Sequence, residues 1–345
     1  MQKKSITIKD VARYAGVSTS TVSHVINRTR FVKDSTRQKV LKAISDLGYH
    51  PNILARNLRR SKTNTVGLII CDLTNPFFSE ILRGIEQCLG KEGYSIIVAN
   101  TDYDIKKESD SVRLFYSKRV DGFIIVPASN EDRHVKFLVD NNVPIVLLDR
   151  KLDKVRADSV IVDNFGGTKK LTAHLINSGH RRIGIITGST NCTPGKERLA
   201  GYLEALKMSN LSMDQTLIKI GNFKQESGYK LTLELLSLPS PPTAIVACNN
   251  LMGLGVLDAL KDRKIHIPEE IAVGVFDDMP WFRHINPPLT VVAQPSFELG
   301  VTAGRLLLEQ IKKERRKPRE IVFKVDLVVR DSAGEKEEKR SKMYI

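Results

Sequence analysis

Residues 8–27 read IKDVARYAGVSTSTVSHVIN, with Val11, Ala12 and Ala15 at helical spacing, then Gly16, then Ser18 ahead of a second apolar stripe of Val22, Val25 and Ile26. Gly16 supplies the permissive backbone of a tight turn, and Ser18 a hydroxyl able to cap the second helix. The outer face of that helix carries Thr19, Ser20, Ser23 and His24, with Asn27 at its end. Short hydrogen-bonding side chains let a helix approach base edges in a major groove, and hydroxyls also reach phosphates. The pattern predicts an all-α helix-turn-helix, although a helical hairpin with a polar surface has the same local pattern. Charge separates the two readings. Residues 1–64 hold 14 Lys and Arg against three Asp, a net of +11, whereas the rest of the chain holds 40 against 36 acids. Positive charge concentrated on the helix-turn-helix segment points to phosphate neutralisation.

Outward from that segment, 345 residues with 41% apolar composition exceed what one core usually serves. No apolar run is long enough to span a bilayer, and the opening KKSITIKD carries no secretory pattern, so a cytoplasmic chain with no membrane partner is expected. Cys71, Cys88, Cys192 and Cys248 have no paired spacing and read as reduced thiols. HExxH, GxSxG and GxxxxGK[ST] are missing, Gly253 and Gly255 lack the context of a nucleotide fingerprint, and His174 and His180 lack nearby metal-ligating partners. No enzyme, metal or cofactor is expected.

From Thr65 onward, short continuous apolar runs alternate with amphipathic stretches. VGLIIC (66–71), SIIVAN (95–100), GFIIVPA (122–128), PIVLLD (144–149) and SVIVDN (159–164) form one series, with helical segments such as 77–94 between them. RIGIITG (182–188), TAIVACN (243–249) and IAVGVFD (271–277) form a second, with helices such as 198–209 and 251–263. Such alternation predicts buried parallel strands with helices on both faces, and hence two doubly wound α/β lobes. Ligands of these sheets lie beyond the carboxyl ends of the strands. Asn75, Phe77 and Phe78 follow the first strand, Asp149 and Arg150 close the fourth, and Asn249 and Asp277 follow two strands of the second series. A neutral sugar needs carboxylates and amides to take its protons, guanidiniums to donate in return, and rings to cover its C–H faces. Asp149, Arg150, Arg198, Asn75, Asn249, Asp277 and Gln294 can supply the first two, and Phe77, Phe78 and Phe223 the third. Individually each has an ordinary role: the aromatics in a core, the acids and amides as caps or loop brackets, the arginines in surface ion pairs.

The segments TIKDVA, GVSTSTVSHVINRTRFV, LGYHPN and LAR resemble the headpiece of the LacI/GalR family of bacterial repressors. Within that family, STSTVSH and RFV are most similar to the purine and ribose repressors. The likeness extends over all but about the last dozen residues and implies a headpiece and hinge helix followed by a periplasmic-binding-protein-like α/β core of two lobes. Its expected boundaries are a headpiece at 1–50, a hinge at 51–64, a core at 65–333 and a charged tail at 334–345. The lobes would comprise 65–163 plus 294–323, and 164–293 plus 324–333. The resemblance makes ILARNLRR (53–60) a hinge helix that orders on palindromic operator DNA, with Leu58 as a minor-groove wedge and Arg56, Arg59 and Arg60 on phosphates or the groove floor. A flexible basic linker is the other reading of that run. Asn75, Phe77, Phe78, Asp149, Arg150, Arg198, Phe223, Asn249, Asp277 and Gln294 are similar, position by position, to a ribose-type ligand shell; Arg198 corresponds to an Arg that opens a helix. Asn250 departs from the usual acid of its turn, which is expected to alter a neighbouring hydrogen bond more than ligand identity.

The implied protein is a homodimeric repressor controlled by a small ribose-like sugar. A purine-corepressed member of the family is the nearest alternative; a sugar-binding or sugar-modifying protein without gene control is more distant. The run KKERRKPR (312–319) and the tail from Glu335 read as a solvated loop and a frayed end.

Overall fold

The computed structural model describes residues 6–27, 30–49, 62–314 and 317–334. The chain divides into two compact units, residues 1–63 and 64–345.

In the first unit, helices α1 (Ile8–Ala15), α2 (Thr19–Asn27) and α3 (Asp34–Asp46) surround a small core of Val11, Ala12, Val22, Val25, Val40 and Ala43. Helix α1 begins at a capping box in which the Thr7 amide and hydroxyl both donate to Asp10 Oδ2, at 2.9 and 2.6 Å. It ends at Gly16, whose φ of +64° is the left-handed conformation that reverses the chain at little cost only for glycine. Ser18 Oγ then accepts from the Thr21 amide at 3.1 Å and caps α2.

The second unit holds two six-stranded sheets. The first contains β1 (Thr65–Ile70), β2 (Ser95–Asn100), β3 (Gly122–Ile125), β4 (Ile145–Leu148), β5 (Asp158–Val162) and β11 (Glu320–Phe323), all parallel, in the order β11-β5-β4-β3-β1-β2. The second contains β6 (Ile183–Thr187), β7 (Ile218–Ile220), β8 (Ala244–Ala247), β9 (Ala272–Phe276), β10 (Thr290–Ala293) and β12 (Asp326–Val328), in the order β12-β10-β9-β8-β6-β7, with β12 antiparallel to β10. Their central strands are buried almost throughout, which is why they read in sequence as unbroken apolar runs.

Helices α4 (Pro76–Lys91), α5 (Ile105–Ser117), α6 (Arg133–Asp140) and α11 (Ser296–Ile311) belong to the first sheet. Helices α7 (Asn164–Asn177), α8 (Thr193–Met208), α9 (Gln225–Leu236) and α10 (Asn250–Asp262) belong to the second. The chain therefore passes between lobes after β5, after β10 and in the two residues Lys324 and Val325 between β11 and β12. Helix α11 docks on α4 backbone to backbone: a Cβ on Gly300 would lie 2.1 Å from the Ile81 carbonyl oxygen. Among the described residues, no helix is long and apolar enough to cross a membrane.

Candidate functional site

In both sheets the strand order reverses direction beside the first strand, at β1/β3 and at β6/β8, and loops leaving the carboxyl ends gather at such a switch point. Asn75, Phe77, Phe78, Asp149 and Arg150 come there from the first lobe, and Arg198, Phe223, Asn249 and Asp277 from the second. Gln294 sits on the crossing after β10. All ten line one cleft, together with Tyr103 and Pro194. The space left among them is about 20 Å³, room for about one water.

Four lining residues have left-handed backbone without being glycine: Tyr103 (φ +64°), Asp149 (+64°), Phe223 (+67°) and Asp277 (+82°). Each costs about 1–3 kcal/mol, and such strain persists only where surrounding structure enforces it. The enforcement is visible at Phe223, whose ring fills the space over Gly188; a Cβ there would fall 2.0 Å from Phe223 Cζ.

The aromatic groups form two clusters. Phe77 and Phe78 meet edge to face at 5.1 Å. Tyr103 and Phe223 come from opposite lobes and stack at 5.7 Å with 15° between their planes. The Arg150 guanidinium carbon lies 5.2 Å from both of those ring centroids. Arg150 Nη1 donates to the Pro127 carbonyl at 2.9 Å, and its Nε lies 3.4 Å from Asp149 Oδ2. Arg198 donates from Nε to Asn164 Oδ1 (2.8 Å) and from Nη1 to the Cys248 carbonyl (2.5 Å), with its guanidinium carbon 3.7 Å above the Phe276 ring. Arg198 does not open its helix. Helix α8 begins at Thr193, because Pro194 suits a first turn whose amides have no internal partner, which puts Arg198 in the second turn.

Burial raises the pKa of Asp149, against the opposing fields of Arg150 and Arg198. It raises that of Asp277 as well, against Arg198 and the hydrogen bond from Gln294. Two carboxyl groups and two guanidiniums thus face one another in one buried cleft.

Several amides are partly committed. Asn75 caps α4 by accepting from the Phe77 amide at 3.0 Å, and Asn249 caps α10 by accepting from the Met252 amide at 2.9 Å while donating to the Phe223 carbonyl at 2.8 Å. Asn75 also forms a reciprocal amide pair across the cleft with Asn250: Asn75 Nδ2 donates to Asn250 Oδ1 at 3.0 Å, and Asn250 Nδ2 to Asn75 Oδ1 at 2.8 Å. The neighbouring hydrogen bond associated with Asn250 is therefore one between lobes. Two buried polar atoms, Arg150 Nε and Gln294 Oε1, have no hydrogen-bond partner among the described residues. Leaving a buried polar group without a hydrogen bond costs about 1–3 kcal/mol, so these two atoms, one donor and one acceptor, are open to a ligand that accepts and donates. The sequence reasoning missed Tyr103 and Pro194; the available signal was that Tyr103 follows the apolar SIIVAN run at the same edge of the sheet.

On the headpiece, Thr19 and Ser20 are exposed on α2, and Ser23, His24 and Asn27 are half-buried on the same helix. Asn27 Nδ2 donates back to the Ser23 carbonyl at 2.8 Å. Arg56, Leu58, Arg59 and Arg60 lie outside the described residues.

Residues 7–52 match the family model described as bacterial regulatory proteins, lacI family, and residues 172–333 match a periplasmic binding protein-like domain. The HTH-type transcriptional repressor PurR of Vibrio campbellii is 36% identical over 328 residues, covering 94% of this chain and 98% of that protein. Among solved structures, the lac repressor dimer bound to operator and the anti-inducer ONPF aligns with a TM-score of 0.86 at 28% identity, covering 96% of this chain and 99% of that one. The complex of the transcriptional regulator CelR with cellobiose aligns with a TM-score of 0.73 at 33% identity, covering 95% and 99%.

Proposed function

Because the chain belongs to the lacI family of bacterial regulatory proteins, and is a DNA-binding transcriptional repressor rather than an enzyme, we propose that a small sugar, D-ribose or a close pentose, binds between the lobes and sets its operator affinity. The carrying observation is the joint composition of the cleft: two carboxyl groups, two guanidiniums, three amide side chains and two aromatic clusters facing one space. Hydrogen bonds to charged groups contribute roughly 1.5–3 kcal/mol each, so several suffice for micromolar affinity after the cost of association. CelR, a relative at 33% identity, is a regulator solved with a sugar.

The protein acts in the cytoplasm as a homodimer whose two headpieces read half-sites of a palindromic operator. Thr19, Ser20, Ser23, His24 and Asn27 face the bases, while Arg56, Leu58 and Arg59 engage the minor groove between the half-sites. The cleft as described leaves too little room for a pentose, so entry requires the lobes to part or side chains to swing. A ligand that favours one arrangement by a few kcal/mol moves the three crossings and, through Asn64, the linker to the headpiece.

A purine corepressor is the second reading, supported by the nearly parallel, stacked Tyr103 and Phe223 rings and by the likeness to PurR. Calorimetric titration with ribose, other pentoses, hexoses and purines separates the two. Ribose binding that disappears in Asp149→Ala, with operator binding retained, is the expected result. Tight binding of hypoxanthine or guanine with none of ribose overturns the sugar assignment.

A further inference from the structure

The first sheet is wholly parallel, so every strand in it starts at one edge, and the linker from the headpiece enters the core at that edge, at Asn64 ahead of β1. The connector 312–319, KKERRKPR, leads into β11 and holds six cations against Glu314. Its net charge of +5 exceeds the +4 carried by residues 65–345 as a whole, so the remainder of the core is close to neutral.

Several cations at this edge are available. Lys118, Lys154, Arg156, Lys313 and Lys317 are exposed and form no ion pair among the described residues, whereas Lys312 and Arg319 are paired with Glu92 and Glu309. Of the acids beside them, Glu92 is paired with Lys312 at 2.9 Å and Asp121 accepts from the Asn64 amide at 2.8 Å. Asp158 accepts from Gln310 Nε2 and the Arg319 amide, both at 2.6 Å, Glu309 pairs with Arg319, and Asp140, Asp153 and Glu314 are exposed. A recess of about 400 Å³ opens at the same edge between Arg156 and Lys317, lined also by Asn142, Gln310 and Asp158, whose carboxylate is taken up by those two hydrogen bonds.

We infer that this edge is a second DNA-contact surface, independent of sequence, that takes backbone phosphates flanking the operator. The inference rests on the repressor reading. The 14 residues from 50 to 63 could span at most about 50 Å, so chain length sets an upper bound on how far this edge can lie from a headpiece on its half-site. Exposed Lys and Arg side chains without partners then exchange counterions with phosphates, and each such contact adds about 0.9 to the salt slope of binding.

The test uses the full chain, an operator selected in vitro by the protein, and two duplexes: the operator alone, and the same operator with about two helical turns added on each side. Affinity is measured by fluorescence anisotropy between about 50 and 200 mM salt for wild type and for Arg156→Gln/Lys313→Gln/Lys317→Gln. On the long duplex, losing three phosphate contacts should make the variant's affinity change over that range about 40-fold smaller than that of wild type. On the short duplex the two proteins should bind alike. Equal losses on both duplexes, or no loss on either, overturn the inference. Loss of inorganic phosphate binding with operator affinity unchanged also overturns it, assigning the recess to a small anion. Failure of the wild type to select any operator instead overturns the repressor reading.

Discussion

Replacing Asn250 by Ala should open the cleft. Asn75 and Asn250 are 3% and 1% exposed and exchange two hydrogen bonds from opposite lobes. Truncating one partner removes both bonds and leaves the Asn75 Nδ2 group buried without an acceptor, while its Oδ1 keeps the Phe77 amide. In a parted arrangement, water satisfies Asn75. The closed arrangement thus loses about 1–3 kcal/mol relative to the open one, a shift of about 5- to 150-fold in their ratio. Fluorescence energy transfer between dyes on exposed helix positions of the two lobes reads that ratio without any effector. Asn75→Ala should produce a shift of the same sign, and the double variant should go little further, because the pair acts as one unit. Shifts that simply add, or the absence of any shift in Asn250→Ala, would refute the latch.

Asp149 and Asp277 hold raised pKa values because they are buried. The folded state keeps their protons at pH values where the unfolded chain has lost them, so their contribution to stability is greatest below the ordinary aspartate range and is lost as pH rises through the raised values. Urea midpoints at about pH 4 and 7 should show a smaller low-pH gain in Asp149→Asn/Asp277→Asn than in wild type, and an unchanged difference counts against the burial argument. Gly188→Ala should weaken effector binding and cost about 1–3 kcal/mol of stability by displacing the Phe223 ring, checked by calorimetry and urea unfolding. Thr19→Ala or Ser20→Ala should lower discrimination between operator and scrambled duplex by roughly 1–3 kcal/mol at fixed salt; equal losses on both duplexes would remove α2 from base reading.

The architecture is legible in the sequence because its physics is local. Gly16 and Ser18 punctuate two helices, and strands covered on both faces have no polar alternation to obscure them. The strands left unread have weaker signals. β7 has three residues at an edge, β11 and β12 are edge strands with half-exposed side chains, and β10 is only TVVA. Position at the carboxyl ends of strands brings the cleft residues into view, but their geometry is not written there. The left-handed backbone of Asp149, Phe223 and Asp277 is imposed by packing on non-glycine residues, so composition gives no cue. The partnership of Asn75 with Asn250 depends on how two lobes meet; alone, Asn75 reads as a helix cap and Asn250 as the first residue of a helix.

The crossing after β10 also bears on the order in which the polypeptide acquires its structure. Helix α11 buries Leu299, Ala303, Leu306 and Leu307 against a lobe whose other helices were made much earlier, and Gly300 meets the Ile81 backbone directly. Until that helix emerges from the ribosome, the face of α4 that receives it is uncovered, and β5 remains an open edge until β11 arrives. The second lobe waits too, since β12 is its last strand and lies only two residues beyond β11. Contacts so distant along the chain form slowly and leave sticky intermediates exposed. The headpiece, with only local contacts, can be complete while both lobes are still being translated, so a chain stalled before residue 296 presents a finished DNA-reading fold on an unfinished regulatory body.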